Sequence, residues 1–347
     1  LHLTGYDLTL DNLRSFRQWK SSTPGHPEFL ETPGVEATTG PLGQGTANAV
    51  GMALAERALA ARFNCASNEI VNHFTYALVS DGDLMEGVSA EAASLAGQLK
   101  LSKLIYLYDQ NDVTLDGPAE MTFSVEDVAR RYEAYGWQVL RIADGDHDIS
   151  GIDEAIREAK TDTDRPSIII VRTTIGFGSP NKQGTSSAHG APLGKEEIEL
   201  TKQKLGWKYE EEFFVPDEVR VELSAIDSGR ELEVEWNENF AKYRRQFPDL
   251  ANELDRRFRS ELPDGWDKGI PSFEVEDVLA SREASGQVLN AIALSVPELI
   301  GCDADLSSST KTNLVDHGSF SNEDASGRNI HFGVREHAMG GIVNGMA

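Results

Sequence analysis

The stretch from Ala77 to Gly117 constrains the fold more than any other part of this 347-residue sequence. It opens with a short apolar run at 77–79 and a polar Ser-Asp-Gly turn, where glycine permits a tight reversal of the chain. Residues 87–101 are rich in Ala, Leu, Glu and Gln with apolar residues at helical spacing, and a second apolar run follows at 104–108. This order predicts a strand, a helix and a strand, the βαβ unit of a parallel sheet.

An oxygen-bearing side chain follows each of the two predicted strands. Asp81 comes directly after the first strand, and Asn111 lies thirty positions further on, after the second. Because neighbouring parallel strands end at the same edge of a sheet, we expect the two side chains to meet where α/β proteins bind ligands. One carboxylate and one amide oxygen suit Mg²⁺ or Ca²⁺ holding a diphosphate, although both residue types also cap turns with no other role.

Composition narrows the classes of function. The sequence has 57 acidic against 32 basic residues, a net charge of −25, which argues against a nucleic-acid partner. No apolar run is long enough to cross a membrane and no signal peptide is present, so no membrane partner is expected. Two distant cysteines, Cys65 and Cys302, favour a reducing cytoplasm over a disulfide framework. Positive potential for an anionic substrate must therefore be local.

Alternating strands and helices continue beyond the βαβ unit. The predicted elements are a helix at 124–135 with Ser124 as its N-cap, a strand at 136–142, a helix at 149–160 and a fully buried strand at 166–174. This alternation predicts an α/β fold with a doubly wound parallel sheet. The Gly- and Ser-rich segment 175–194 should form an irregular loop beyond the last strand, a position where long loops are usually functional.

The rest of the sequence predicts a helical region, a linker and the start of another α/β domain. Residues 196–205 and 210–259 are charged and helical in pattern, and four aromatic residues within them are spaced for burial: Trp236, Phe240, Tyr243 and Phe247. A Leu-Pro-Asp-Gly-Trp breaker begins at 262 and marks a linker at 263–272. A helix at 281–295 and a strand at 329–333 then open the second domain.

Several separated motifs resemble the transketolase family of thiamine diphosphate enzymes. They are GHPE at 25–28, TTGPLGQG at 38–45, the Asp-Gly turn with its downstream Asn at 81–111, SREASGQVL at 281–289, GCDADLSSS at 301–309 and HFGVREHAMGG at 331–341. The resemblance covers the chain from His2 to Ala347, with Ser80 standing where the family usually has glycine.

This resemblance implies a thiamine diphosphate-binding fold made of two domains. The first, over 1–262, would be the diphosphate-binding domain without its N-terminal part, with a helical crossover region from about 196. After the linker at 263–272, residues 273–347 would be the N-terminal part of the pyrimidine-binding domain. The family's opening helices, the rest of the pyrimidine domain and the C-terminal domain would then be missing from this sequence.

The resemblance also implies roles for residues of the first domain. The metal ion, Mg²⁺ or Ca²⁺, would be held by Asp81, Asn111 and the carbonyl of Val113. Further cofactor contacts would come from Gly40, Leu42, Gly82, Glu86 and His189. His26 and His189 would bind substrate and exchange protons with its oxygens, in catalytic roles.

In the second domain the resemblance implies four further site residues. Glu336 would be catalytic and would contact the cofactor, since thiamine chemistry needs a carboxyl group beside the aminopyrimidine ring, and burial suits such a group by raising its pKa. The same position would suit an ordinary first-turn glutamate of a helix. Asp305 would lie near the cofactor, and Arg282 and Ser309 would bind substrate phosphate, with the run of serines at 307–309 leaving the choice of serine open.

The activity that the resemblance implies is transfer of a two-carbon ketol unit from a ketose phosphate to an aldose phosphate, through a carbanion on thiamine diphosphate. Sugar phosphates would be the substrates, in the pentose phosphate pathway or the Calvin cycle. The enzyme would be a cytoplasmic homodimer with its active site at the subunit interface. Dihydroxyacetone synthase, 1-deoxyxylulose-5-phosphate synthase and a non-catalytic fragment remain alternatives, and the GHPE and TTGPLGQG motifs count against the second of them.

Overall fold

The chain forms two compact units, which the computed structural model describes over residues 1–66 and 68–347. The first unit comprises Leu1–Val50 and Phe74–Glu231, and the second comprises Gly51–His73 and Leu232–Ala347. The helices, in chain order, are α1 (Leu10–Arg14), α2 (Gln44–Phe63), α3 (Asp81–Met85), α4 (Gly87–Gln98), α5 (Glu120–Phe123), α6 (Val128–Ala134), α7 (Ile149–Thr161), α8 (Lys195–Lys204), α9 (Asp217–Leu223), α10 (Ile226–Gln246), α11 (Pro248–Phe258), α12 (Ser281–Ser295), α13 (Ser307–Thr310) and α14 (Glu336–Met346).

A four-stranded parallel sheet forms the centre of the first unit. Its strands are β1 (Thr75–Ser80), β2 (Leu104–Gln110), β3 (Gln138–Ile142) and β4 (Ser167–Arg172), in the spatial order β1-β2-β4-β3. All three strand pairs are parallel, which confirms the predicted α/β fold. The first five residues of β4 are buried, as its β-branched run predicts. Two of them, Ile169 and Val171, pack with Ile105 of β2 against Ala155 and Ala159 of α7.

The predicted N-cap of α6 is wrong. The helix begins at Val128, and its cap is Asp127, whose carboxylate accepts a hydrogen bond from the backbone N–H of Arg130 at 3.1 Å. Ser124 instead ends the separate short helix α5. Both residue types are good caps, but the extended backbone of Asp127 (ψ 96°) directs its carboxylate at the free N–H groups of the first turn.

In the second unit, the predicted aromatic side chains build a core around the end of α2. Phe240 and Tyr243 are buried with Phe63, and Trp236 packs on this cluster and donates its indole N–H to the carbonyl of Ile70 at 3.0 Å. The region predicted as one helical stretch is three helices, and α11 starts with Pro248 because proline fits the first helical position but not a helix interior.

A small two-stranded parallel sheet lies in the C-terminal part of the second unit. It pairs β5 (Gly301–Asp303) with β6 (Asn329–His331), so β6 is two residues shorter than predicted. The preceding helix, α12, has the predicted bounds. Over residues 1–66 and 68–347, no helix combines the length and apolar character needed to cross a membrane.

Candidate cofactor site

Asp81 lies at the carboxyl edge of the sheet, where β1 and β2 end side by side with Ser80 opposite Asp109. Its side chain is buried, with 2% of the residue exposed. One carboxylate oxygen accepts a hydrogen bond from the Tyr108 hydroxyl at 2.5 Å, and the other accepts from the backbone N–H of Asp112 at 3.0 Å. The strand end and the loop after β2 are therefore joined through this carboxylate.

The surroundings of Asp81 make its negative charge costly. Burial raises the pKa of the carboxyl group, the hydrogen bond from Tyr108 lowers it, and the charges of Asp112 and Asp109 raise it further, with a net rise. Burial and the bond to Asp81 also raise the pKa of Tyr108, which keeps its hydroxyl a donor. A cation bound beside Asp81 would offset this cost, so the buried carboxylate fits the metal ion that the sequence predicts.

The other two predicted metal ligands lie in the loop that Asp81 holds. The side-chain oxygen of Asn111 accepts from the backbone N–H of Val113 at 3.0 Å, and its amide group donates to Asp109 at 3.0 Å. No group of three or more His, Cys, Asp or Glu side chains suited to a metal occurs in the described part of the chain. A cation here would thus depend on the amide oxygen of Asn111 and the carbonyl of Val113 as well as on Asp81, which are the oxygen ligands that Mg²⁺ and Ca²⁺ take.

The glycine-rich turn at 40–43 packs against the same strand end. The backbone N–H of Gly43 donates to Asp83 at 3.0 Å. A Cβ atom on Gly82 would lie 2.9 Å from a methyl carbon of Leu42, so the absence of a side chain at 82 leaves room for Leu42. Leu42 itself is half exposed. The predicted residues Leu42 and Gly82 are thereby neighbours.

His26 and Glu86 complete the surroundings of this turn. A Cβ on Gly40 would lie 2.8 Å from the Nδ1 atom of His26, so the imidazole ring lies directly over Gly40. Gly43 has a φ of +76°, and a Cβ there would lie 2.7 Å from the Cβ of Glu86. Both His26 and Glu86 are exposed. Five predicted residues from three separate motifs therefore lie in this turn or directly beside it.

His189 lies in the irregular segment 175–194, named here the histidine loop. The carboxylate of Glu197 anchors this loop by accepting from the Ser179 hydroxyl and from the backbone and side-chain N–H groups of Asn181, at 2.8 and 2.9 Å. These bonds lower the pKa of Glu197, which keeps the anchor ionised. The Nδ1 atom of His189 is buried and has no hydrogen-bond partner within the described residues. A ligand group reaching this atom would satisfy it.

The remaining predicted residues lie in the second unit, and all four are exposed. Arg282 is the second residue of α12, Ser309 lies in α13, Asp305 has a left-handed backbone (φ +67°) just before α13, and Glu336 is the first residue of α14. The helices α12 and α13 pack together, and a cavity of about 690 Å³ beside them has Ser307 and Ser308 in its lining.

Sequence reasoning missed Asp83, Tyr108 and Asp112, which hold the predicted residues in place. Asp83 had a readable signal, because a serine followed three residues later by an acid is the pattern of a capping box, and Asp83 does accept from the backbone N–H of Ser80 at 2.9 Å. No signal in the sequence marked Tyr108 or Asp112, because their contact with Asp81 depends on the pairing of two strands.

Family models match almost all of the chain. Residues 1–263 match the model described as "Transketolase, thiamine diphosphate binding domain", and residues 277–347 match "Transketolase, pyrimidine binding domain". The chain belongs to the transketolase family. A transketolase of Geobacillus stearothermophilus is 55% identical over 349 residues, a match that covers 100% of this chain and 52% of the relative. The chain thus spans about half the length of the curated relatives it matches.

Solved transketolase structures have the same fold as this chain. The enzyme from Leishmania mexicana superposes with a TM-score of 0.96 at 45% identity, covering 99% of this chain and 51% of that one. A transketolase from Pichia stipitis, in complex with sedoheptulose 7-phosphate, superposes with a TM-score of 0.96 at 46% identity and covers 99% of this chain and 52% of that one. These matches confirm the family and the α/β fold that the motifs imply.

Proposed function

We propose that this chain carries the cofactor-binding part of a transketolase, a transferase that moves a two-carbon ketol unit from a ketose phosphate to an aldose phosphate. The observation that carries the proposal is the meeting of three motifs in the first unit. His26 lies over Gly40, and Leu42 lies beside Gly82. Asp81, next to Gly82, joins the end of β1 to the loop after β2 through its hydrogen bond with Asp112. When bound, thiamine diphosphate would supply a nucleophilic carbon and an electron sink for the transferred unit.

The metal ion in this proposal is Mg²⁺ or Ca²⁺, held by Asp81, Asn111 and the carbonyl of Val113. The buried, acid-surrounded carboxylate of Asp81 supports a cation at this place. A chain with a net charge of −25 repels anionic ligands, and a cation at this place would offset that repulsion by neutralising charge on the diphosphate. Gly40, Leu42 and the exposed Glu86 would contact the rest of the cofactor.

Two histidines would handle protons on the substrate. His26 is exposed beside the glycine-rich turn, and the orphaned Nδ1 of His189 supports a polar contact with bound substrate or cofactor. Imidazole is the side chain whose ordinary pKa suits proton exchange near neutral pH. Arg282 and Ser309, both exposed in the second unit, would bind the phosphate of the sugar.

We further propose a cytoplasmic homodimer of sugar-phosphate metabolism in which Glu336 of one chain serves the cofactor on the other, together with Asp305. The exposure of both side chains in the single chain supports a role toward another molecule. We retain the domain division of 1–262, a linker at 263–272, and 273–347, which the matched ranges 1–263 and 277–347 support.

Calorimetric titration with thiamine diphosphate in the presence of Mg²⁺, followed by a two-carbon transfer assay with a ketose phosphate donor and an aldose phosphate acceptor, tests the proposal. We expect binding that requires the metal ion, and a Glu336→Gln variant that loses transfer. Glu323→Gln, at another exposed glutamate of the second unit, is the matched control and should retain it. A folded chain that does not bind thiamine diphosphate would overturn the proposal. Binding without transfer would favour the non-catalytic alternative.

A further inference from the structure

Asp83 joins the glycine-rich turn at 40–43 to the end of β1. One of its carboxylate oxygens accepts from the backbone N–H of Gly43 at 3.0 Å, and the other accepts from the backbone N–H and the hydroxyl of Ser80, both at 2.9 Å. Gly43 and Asp83 are 40 positions apart, so this contact links two distant segments of the chain. Hydrogen bonds to an ionised acceptor are roughly twice as strong as neutral ones. The carboxylate therefore holds the turn firmly.

The carbonyl group of the same glycine is held from the other side. The Thr46 hydroxyl donates to the carbonyl oxygen of Gly43 at 2.6 Å and lies 3.1 Å from the Ser89 hydroxyl, which in turn donates to the backbone carbonyl of Asp83 at 2.5 Å. Thr46 and Ser89 are both buried, so water does not compete for these bonds. We call the bonds of Asp83 and Thr46 to Gly43 the Gly43 clamp.

The clamp determines where the residues proposed to contact the cofactor rings lie. Leu42 directly precedes Gly43, and one of its methyl carbons lies 2.9 Å from the place that a Cβ on Gly82 would take. Gly40 lies three residues before the clamped peptide. A change in the backbone conformation of Gly43 would move Leu42 and Gly40. Asp81 would keep its position through its own hydrogen bonds to Tyr108 and Asp112.

We infer that Asp83 is a positioning residue that sets the glycine-rich turn for the thiamine part of the cofactor and not for its diphosphate. The inference rests on the proposed function, which gives Gly40 and Leu42 to the rings and Asp81 to the metal and diphosphate. It adds a selective role for a residue that would touch neither part of the ligand. Replacing a residue with a merely structural role would weaken binding of the whole cofactor and of its diphosphate group equally, or would change neither affinity.

Comparing two ligands on the 347-residue chain separates these possibilities. The affinity for thiamine diphosphate with Mg²⁺ is measured by calorimetry, and that for inorganic pyrophosphate by its displacement of thiamine diphosphate. Asp83→Asn keeps the shape of the side chain but turns an NH₂ group toward the N–H of Gly43 or of Ser80. We expect it to weaken thiamine diphosphate binding about tenfold, and pyrophosphate binding by less than about twofold. Asp81→Asn should weaken both.

Two further variants complete the comparison. Asp153→Asn, at an exposed aspartate of α7, is the matched control and should change neither affinity. Thr46→Val removes the donor to the carbonyl of Gly43 and should give the same selective loss, which keeps the test decisive if circular dichroism shows that Asp83→Asn does not fold. Equal losses for the two ligands, or unchanged thiamine diphosphate affinity in a folded clamp variant, would overturn the inference. A wild-type chain that binds no thiamine diphosphate would overturn the proposed function instead.

Discussion

Replacing Asp81 with Asn separates the energetic cost of burying its carboxylate from the proposed role of that carboxylate as a metal ligand. The carboxylate accepts one hydrogen bond from Tyr108 at 2.5 Å and one from the N–H of Asp112 at 3.0 Å. An amide keeps a hydrogen bond to each partner, because its oxygen accepts from Asp112 and its NH₂ group donates to the Tyr108 oxygen, but the O–H of Tyr108 loses Asp81 as its acceptor. The lost strength of two charged bonds, about 1 kcal/mol each, opposes the gain from no longer burying a charge among acids. We expect the free energy of unfolding without ligand to change by less than about 1 kcal/mol.

Cofactor binding should respond to the same substitution much more strongly. Removing the one carboxylate from a set of oxygen ligands lowers the affinity for a hard divalent cation, so we expect thiamine diphosphate binding at fixed Mg²⁺ to weaken at least tenfold, or by about 1.4 kcal/mol or more. Urea unfolding without ligand and calorimetry with ligand measure the two effects, and Asp116→Asn, at an exposed residue of the same loop, is the control. Unchanged affinity would exclude Asp81 as a ligand of the proposed metal ion. A loss of more than about 3 kcal/mol in the unliganded chain would refute the argument that its charge is costly.

Three further predictions concern the stability of each unit and the histidine loop. Burial alone would raise the pKa of Glu298, but the hydrogen bond and the charge of Arg256, 2.6 Å away, outweigh it and hold the pKa below its ordinary 4.5. This stabilisation is present above pH 4.5 and is lost as the pH falls through the lowered pKa. Glu298→Gln should therefore make the loss of stability with falling pH less steep below pH 4.5, as measured by acid unfolding followed by circular dichroism. An unchanged unfolding curve would contradict the pairing of Glu298 with Arg256. Gly97→Ala would place a Cβ 1.8 Å from the carbonyl oxygen of Tyr135 and should lower the free energy of unfolding in urea by about 1–3 kcal/mol, a result that a neutral substitution would refute. Glu197→Gln should speed amide hydrogen exchange in the histidine loop and leave exchange in the sheet unchanged. Equal exchange rates of the loop in Glu197→Gln and in the wild-type chain would refute the anchoring role of Glu197.

The sheet could be predicted because its pattern is local. The β-branched run of β4 has no polar residue between Ile168 and Val171, and such a run is typical of a strand buried on both faces. Helix α12 was equally readable, since its predicted bounds agree with the structure at both ends. In each case the residues that determine the element lie within the element itself.

The cap of α6 shows what local pattern does not decide. Ser124 and Asp127 are both suitable caps, three positions apart, and the choice depends on where the preceding short helix ends. The predicted helical region 210–259 also missed the break before Pro248, although a proline at a first helical position is a local signal. Capping errors therefore arise where two local signals compete.

The part of the candidate site that follows from strand topology could be predicted from the sequence. Parallel pairing of β1 and β2 brings the ends of the two strands to one edge, so the neighbourhood of Asp81 and the loop of Asn111 followed from the βαβ unit. The bond between Gly43 and Asp83 did not, because neither residue's pattern specifies a partner 40 positions away. Contacts of this range depend on the folded backbone, and they are the contacts that hold the glycine-rich turn.

The charge of Asp81 is itself an argument for a cation at the strand end. A residue that only joined Tyr108 to the N–H of Asp112 would need no charge, because an uncharged asparagine side chain can hydrogen-bond to both groups. Burial and the neighbouring acids disfavour the ionised form, and the nearby Arg172 pairs with Asp112. A carboxylate in these surroundings becomes favourable when a positive partner binds beside it. The hydrogen bonds to Asp81 thus explain its position, and the proposed cation would explain why the residue is an aspartate.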